Sequence, residues 1–489
     1  MTRFARCAAL ATLLVLAACM SGPSAATDPA VSAVPPSPSV APSIAASTTR
    51  ADQSNTAPSV EAGTSGDNQA RQRMEAAIAA LRRPFAVRIG DRSFSLDSAE
   101  LLLPDASQLL EQAGEQSAEI ALAAQIDRQA LRERLMVIAA EVDEPPTADV
   151  ITDAEAYSST LTFVRRPGRV LDVDAAVEQA AAALADPAAK DVTLKLSPRA
   201  DGKLPFGILE HALQEHATYW RGTAGVYVYD LETGESAGVN QHTVFSGASV
   251  LKVPIMIYVY SKLGTLNQPQ QVWMERMIGA SGNYEATKLL AAAVGGWSTD
   301  DALVAVGEMS AMLRELGLEH TYMLVPYEGS AYLRREGRLP QGGPAEEGAA
   351  PFTAADPFLR TTPAEMARVF AMLDACAAGG GPLLEQFGAR LQAAQCDEML
   401  ALLRLPHDQT RMVAGVPAGV SVAHKGGWTS DMQADVGIVD SPGGRYVAAI
   451  WVYRDLEDGY VTGPTGKASP YLADFSHTIY SFYNPEAPQ

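Results

Sequence analysis

Cysteine is scarce. Four in 489 residues are too few for a disulfide-built scaffold or a Cys-based zinc fold. Basic residues are also short: 37 Lys and Arg against 57 Asp and Glu leave a formal net charge of −20. That excludes a general nucleic-acid binder, which needs basic surface to displace counterions. Beyond the first few dozen positions no stretch of about 18 apolar residues occurs, so the body has no spanning-helix signal. What is present is 47% hydrophobic, enough to bury real cores. At roughly 150 residues per domain the chain has room for about three domains, or two with unstructured segments.

The N-terminus reads as an address. Arg3 and Arg6 precede an apolar run from Ala8 to Ala18 that suits a secretory signal. The run ends in Leu16-Ala17-Ala18-Cys19, which resembles the bacterial lipobox. That resemblance implies diacylation of Cys19 and a stable membrane anchor; an ordinary cleaved signal is the alternative. Residues 20–71 are Ala, Ser, Pro and Thr, with Pro35-Pro36-Ser37-Pro38 among them. This composition builds no core and reads as a tether with a root-mean-square span of roughly 40 Å.

Globular patterning returns over residues 72–200. Phe85, Val87 and Ile89 alternate, Gly90-Asp91 turns the chain, and Phe94 and Leu96 alternate again, a hairpin signal. Asp97 with Glu100 predicts a helix through Leu103, and Asp127 caps a helix over Arg128–Glu141 with Leu131, Leu135 and Ile138 on one face. Asp174 is expected to cap an Ala-rich helix, and Val192, Leu194 and Leu196 to form a closing strand. The pattern resembles the small α+β domain that binds peptidoglycan beside cell-wall enzymes, which implies peptidoglycan as partner; a plain spacer is the alternative. No residue here points to chemistry.

Residues 204–489 carry the chemistry. A helix through Ile208, Leu209 and Leu213, with His211 and His216 expected on its exposed face, leads to a strand over Ala224–Asp230. After a mostly helical stretch come strands at Val420–Ala423, Asp435–Val439 and Tyr446–Tyr453, then a helix capped by Ser469 and begun by Pro470. The expected class is α+β: a sandwich on an antiparallel sheet with a helical subdomain. Ser249 and Lys252 stand three apart, which on a helix places the amine over the hydroxyl as its base. A helix N-terminus adds free N–H groups for a developing oxyanion. Ser281-Gly282-Asn283 offers a relay hydroxyl and an amide. His424-Lys425-Gly426-Gly427-Trp428, at an expected strand end, offers a cation for a carboxylate and glycines for close approach. Each also has a bland reading: a chance Ser-x-x-Lys, a turn tripeptide, a strand-ending turn.

In order and spacing these three segments resemble the motifs of class A serine β-lactamases and their penicillin-binding relatives. Thr361-Thr362-Pro363-Ala364-Glu365-Met366-Ala367, Ala414-Gly415-Val416-Pro417 and Asp435-Val436-Gly437-Ile438-Val439 add to the resemblance. It implies Ser249 as the acylated nucleophile, Lys252 as its base or base partner, Ser281 as proton relay and Asn283 as substrate orienter. It implies Lys425 as carboxylate anchor, and the N–H groups of Ser249 and Trp428 as oxyanion hole. Three departures stand out. Glu328 is the nearest candidate for the deacylating acid, with Glu346, Glu347 and Asp356 behind it, but Gly329-Ser330-Ala331 follows it instead of the family's Pro-x-Leu-Asn. Gly426 replaces a Thr or Ser whose hydroxyl would bond a substrate carboxylate, a loss Trp428 is placed to offset. Arg411 is a candidate carboxylate binder. Cys376 and Cys396 form either a disulfide or two buried thiols. The histidines show no ligand spacing, so neither metal nor cofactor is expected. Three functions remain: an exported β-lactam hydrolase, a cell-wall D,D-peptidase acting on stem peptides, and a wall-binding protein with a degenerate catalytic domain.

Overall fold

The computed structural model describes residues 82–101, 126–154, 159–186, 188–199, 201–406, 408–455 and 468–487, with Gln72. The expected signal, Cys19 and the tether lie outside them. A hairpin, β1 (Pro84–Ile89) and β2 (Arg92–Asp97), pairs through β1 with the parallel strand β6 (Asp191–Leu194). Helices α1 (Arg128–Val142) and α2 (Val173–Ala185) close this sheet over Phe85, Val87, Leu131, Leu135 and Ala180. The segment after Asp97 is a 3-10 turn over Ser98–Leu101, and the rest of the helix expected there lies outside the described residues. Asp127 caps α1, accepting from the Gln129 and Ala130 N–H groups. The cap of α2 is Asp172, not Asp174. Asp174 sits in the first turn and pairs with Arg132 instead. The closing strand is split into β6 and β7 (Leu196–Arg199), and β7 pairs with β5 (Gly168–Leu171).

A second hairpin, β3 (Thr147–Ala154) and β4 (Ser159–Arg166), escaped sequence reading. Leu161 and Phe163 of β4 are fully buried in a core shared with the last helix, α12 (Ser469–Tyr483), and with α3 (Phe206–Ala217). Phe163 meets the Phe482 ring edge-on at 5.6 Å, and its N–H donates to Ser481 Oγ at 2.8 Å.

The main sheet is antiparallel throughout, ordered β13 (Ser421–Trp428), β14 (Met432–Ser441), β15 (Gly444–Tyr453), β8 (Thr223–Asp230), β9 (Ser236–Val239). Both faces are covered, so β14 is buried continuously from Met432 to Val439 and β15 reads as a near-continuous apolar run instead of alternating. α3 and α12 lie on one face and the helical subdomain on the other. At its centre runs α4 (Lys252–Leu263), apolar all round and buried from Lys252 to Ser261, as an interior helix must be. A three-stranded ribbon, β10 (Phe245–Ser246), β12 (Leu359–Thr361) and β11 (Tyr322–Met323), ties the chain before α4 to the segment after β11. α5 (Gln268–Gly279) and α6 (Asn283–Ala293) pack beside α4, and a disulfide joins Cys376 in α9 (Pro363–Ala377) to Cys396.

Two expectations about helix residues change. Ser469 is not a cap: its hydroxyl donates to Gln433 Oε1 at 2.9 Å, and Ala468 precedes the helix. His216 is buried, stacked on Phe475 at 4.1 Å and bonded to Thr478. Burial pulls its pKa from 6.5 down to about 4. An unfolded chain takes up this proton near 6.5 and the folded chain resists it, so stability falls as pH drops from about 6.5 to about 4. The loss is on the order of 3 kcal/mol. Urea unfolding at pH 7 and pH 4.5 is expected to show a smaller pH penalty for His216→Gln than for the parent; equal penalties would refute the assignment.

Candidate active site

Ser249 lies in a 3-10 turn, Ala248–Leu251, that runs directly into α4. The turn and helix keep the i, i+3 relation, and Lys252 Nζ stands 2.7 Å from Ser249 Oγ. α6 opens on Asn283, and the bend before it holds Ser281 at φ 57°. Lys252 Nζ reaches Asn283 Oδ1 at 2.8 Å and Ser281 Oγ at 3.4 Å. From the opposite wall Lys425 Nζ donates to Ser281 Oγ at 2.9 Å and to the Gly426 carbonyl at 2.8 Å. Ser281 thus bridges two amines.

The third segment departs from expectation. The strand does not end before Lys425; β13 continues through Trp428, with Lys425 paired to Val436 and Gly427 to Ala434. Lys425 is therefore buried, not an exposed turn lysine. The glycines earn this position. A Cβ on Gly427 would stand 2.9 Å from the Ser249 nitrogen and 3.2 Å from Ala248 Cβ, so its absence lets β13 lie against the nucleophile's turn. A Cβ on Gly426 would stand 2.7 Å from Arg411 Nη1. The Arg411 guanidinium fills the space next to Gly426, held by Asp408 and by Gln433 Oε1 at 3.3 Å. Trp428 is 47% exposed at the rim.

Glu328 is brought to the same cleft. Its Oε1 accepts from Asn283 Nδ2 at 3.3 Å, while its side chain remains exposed. The alternatives are occupied elsewhere. Glu347 pairs with Arg360, Tyr322 and His320, and Asp356 takes the Phe358 and Leu359 N–H groups. Glu346 is exposed. Thr362 caps α9 by accepting from the Glu365 N–H, while the Glu365 carboxylate accepts from the Glu319 and His320 N–H groups and from Thr321 Oγ1.

Burial and the neighbouring Lys425 charge lower Lys252 to about 6. Near neutral pH its amine is mostly uncharged and able to take the serine proton. Burial lowers Lys425 to about 8, with Asp435 countering the shift and Arg411 adding to it. Lys425 therefore keeps most of its charge. Behind it, His424 Nδ1 lies 2.8 Å from buried Asp435. Among the described residues no His, Cys, Asp and Glu group is arranged to hold a metal.

Sequence reading missed Tyr327. Its hydroxyl donates to the Ala248 carbonyl at 2.6 Å, and its ring centroid is 4.2 Å from Lys252 Nζ. The available signal was an aromatic directly before the candidate acid. Four non-glycine residues have positive φ among the described residues, and Ala248, Ser281 and Glu328 are three of them. Such backbone persists only where its surroundings over-determine it.

Residues 208–483, more than half of the chain, match the family model Beta-lactamase2, described as the beta-lactamase enzyme family. Similar solved structures include a mutant of PBP-A in an acyl-enzyme complex with penicillin G. It is 23% identical over 57% of this chain and 97% of that one, at a TM-score of 0.41. A β-lactamase from Chitinophaga pinensis DSM 2588 is 17% identical over 55% and 97%, at 0.40. An ancestral (GNCA) class A β-lactamase is 20% identical over 55% and 98%, at 0.40. No curated protein matches the chain.

Gly427→Ala is expected to push β13 off the nucleophile's turn while leaving the fold intact. Covalent labelling of Ser249 by a serine-directed acylating agent, followed by intact mass, should slow by roughly tenfold or more. Labelling at the parent rate would contradict the packing argument.

Proposed function

The chain belongs to the beta-lactamase enzyme family, and from that premise we propose that it is an exported serine hydrolase that opens β-lactam rings through an acyl-enzyme on Ser249. The observation that carries this reading is the link from Glu328 through Asn283 to Lys252, at 3.3 Å and 2.8 Å. It sets a carboxylate for the second half-reaction beside the amine for the first.

In the proposed sequence the uncharged Lys252 amine takes the Ser249 proton as Oγ attacks the lactam carbonyl. The N–H groups of Ser249 and Trp428 receive the oxyanion. The ring C–N bond breaks, and the nitrogen leaves with a proton relayed from Lys252 through Ser281. Lys425 holds the substrate carboxylate, with Arg411 adding positive potential from behind Gly426. Glu328 then takes a proton from a water, whose oxygen attacks the ester carbon. The proton that Glu328 took is returned by way of Lys252 to Ser249 Oγ as the ester C–O bond breaks, and the opened acid leaves.

A second reading, a D,D-peptidase acting on stem peptides ending in D-alanine, is favoured by the exposure of Glu328 and by the missing hydroxyl at position 426. It keeps the acylation half and slows deacylation of β-lactams. Nitrocefin turnover and the intact mass of a penicillin adduct separate the two. Steady turnover is expected, absent in Ser249→Ala. In Glu328→Gln turnover should fall by about a hundredfold or more while adduct accumulates. A long-lived adduct in the parent protein would move the assignment to the peptidase, and neither turnover nor adduct would refute both.

We further place the enzyme on the outer face of a bacterial membrane, anchored through Cys19. The Cys376–Cys396 disulfide supports an oxidising compartment. Cells fed an alkyne fatty acid should label the protein, and Cys19→Ala should lose both the label and membrane association. A labelled Cys19→Ala protein would overturn the anchor.

A further inference from the structure

Lys252 is surrounded unevenly. Ser249, Ser281 and Asn283 lie near its nitrogen as polar partners. Its charged surroundings come from three elements: Lys425 on β13, Glu328 on the segment after β11, and Glu285 on α6. One further contact is the face of Tyr327, with the nitrogen 4.2 Å from the ring centroid.

That ring is held deliberately. The Gly329 N–H donates to the Pro326 carbonyl at 3.0 Å, closing a four-residue turn around Tyr327 and Glu328. Glu328 takes the left-handed third position, φ 61° and ψ 2°, which ordinarily favours glycine. Thr287 Oγ1 on α6 fixes the turn by donating to the Tyr327 carbonyl at 3.2 Å. Two successive side chains are thereby delivered to the cleft. At the other end of the Tyr327 ring, the hydroxyl donates to the Ala248 carbonyl at 2.6 Å, the carbonyl of the peptide that leads into Ser249. Ala248 has φ 40°, a costly conformation for a residue with a Cβ.

We propose that Tyr327 is a positioning residue for acylation, with its ring stabilising the ammonium that forms on Lys252 and its hydroxyl pinning the strained Ala248 peptide that aims Ser249. The inference rests on the acyl-enzyme reading for its kinetic half only. When the serine proton crosses to Lys252, a buried amine becomes a buried cation. An aromatic face attracts that cation and leaves the neutral amine nearly untouched. The ring thus favours the product of the proton transfer, and the hydroxyl favours the geometry from which it starts. The two functions are separable. Phenylalanine removes the hydroxyl alone, leucine removes hydroxyl and π-face while keeping apolar bulk, and tryptophan restores a π-face.

The test is a titration of Lys252 in the full chain carrying 13Cε-labelled lysine, with the resonance assigned by its loss in Lys252→Arg. The parent value is expected near 6. Tyr327→Leu should lower the midpoint by on the order of one pH unit, while Tyr327→Phe and Tyr327→Trp should leave it within a few tenths. In parallel, the acylation rate constant with a fluorescent penicillin is followed against pH. Tyr327→Phe should lose roughly tenfold at the plateau with an unmoved acid limb, and Tyr327→Leu should lose rate and shift its acid limb to lower pH. A Tyr327→Leu midpoint that stays or rises overturns the role of the ring. A Tyr327→Phe plateau equal to the parent overturns the role of the hydroxyl. If the parent protein is not acylated, the acyl-enzyme reading and the hydroxyl's kinetic role fall together, while the titration still decides the ring.

Discussion

Everything in the cleft follows from burying one amine. Lys252 begins a helix whose next nine residues are also buried, so its nitrogen cannot reach bulk water. A lone ammonium in such a place costs several kcal/mol. The protein responds by lowering the amine's proton affinity and by surrounding it with a hydroxyl, an amide and a ring face. The same burial that makes Val253 to Tyr260 the centre of the core lowers the proton affinity of Lys252. Stability and chemistry are therefore coupled through one helix. Polar replacements along α4 would loosen the packing and rehydrate the amine together.

The charge of the whole chain sharpens this. A net of −20 sets a long-range field that opposes an anionic substrate. Attraction has to be local, and the structure supplies it from inside. Lys425 and Arg411 are both buried at 3% exposure, where less solvent screens them than at the surface. Asp408 pairs with Arg411, and the Asp435 charge counters the effect of burial on Lys425. Gly426 belongs to that balance. With no side chain there, the Arg411 guanidinium takes the space beside the strand, so the departure from the family's hydroxyl comes with a charge already in place.

Much of the fold was readable because periodicity reports burial directly. The α1 stripe of Leu131, Leu135 and Ile138 and the β8 strand fell where alternation and spacing put them. Ser249 and Lys252 pair because i, i+3 spacing is a geometric statement, and the three chemical segments together were readable through an order and spacing that resemble the motifs of class A serine β-lactamases. The failures were tertiary. Gly426 and Gly427 look like a turn in sequence, yet they extend β13 because the close approach of Ser249 and Arg411 leaves no room for side chains. His216 sits on what reads as a polar face until Phe475 and Thr478 arrive from 259 or more residues later. Tyr327 carries no motif, since its value lies in touching two residues some 75 positions earlier. The β3–β4 hairpin was invisible for a similar reason: its buried face is completed by α12 at the other end of the chain.

That last contact bears on how the N-terminal region relates to the cleft. Composition placed a boundary near residue 200, but the buried surface crosses it. Leu161 and Phe163 share one core with Phe475, Ile479 and Phe482, and the Ser159 N–H donates to Asp474. The same helix donates from Ser476 Oγ to the Met412 carbonyl at 2.8 Å, and Ser469 at its start shares Gln433 with Arg411. α12 is thus bonded on one side to β4 and on the other to the chain that presents Arg411. A freely hinged accessory domain would expose Leu161 and Phe163, which alone forfeits several kcal/mol of burial. The hairpin is better understood as an outer layer of the sandwich built on the main sheet than as part of a detachable spacer. Among the described residues before 200, the β1–β2–β6 sheet with α1 and α2 has a separate core.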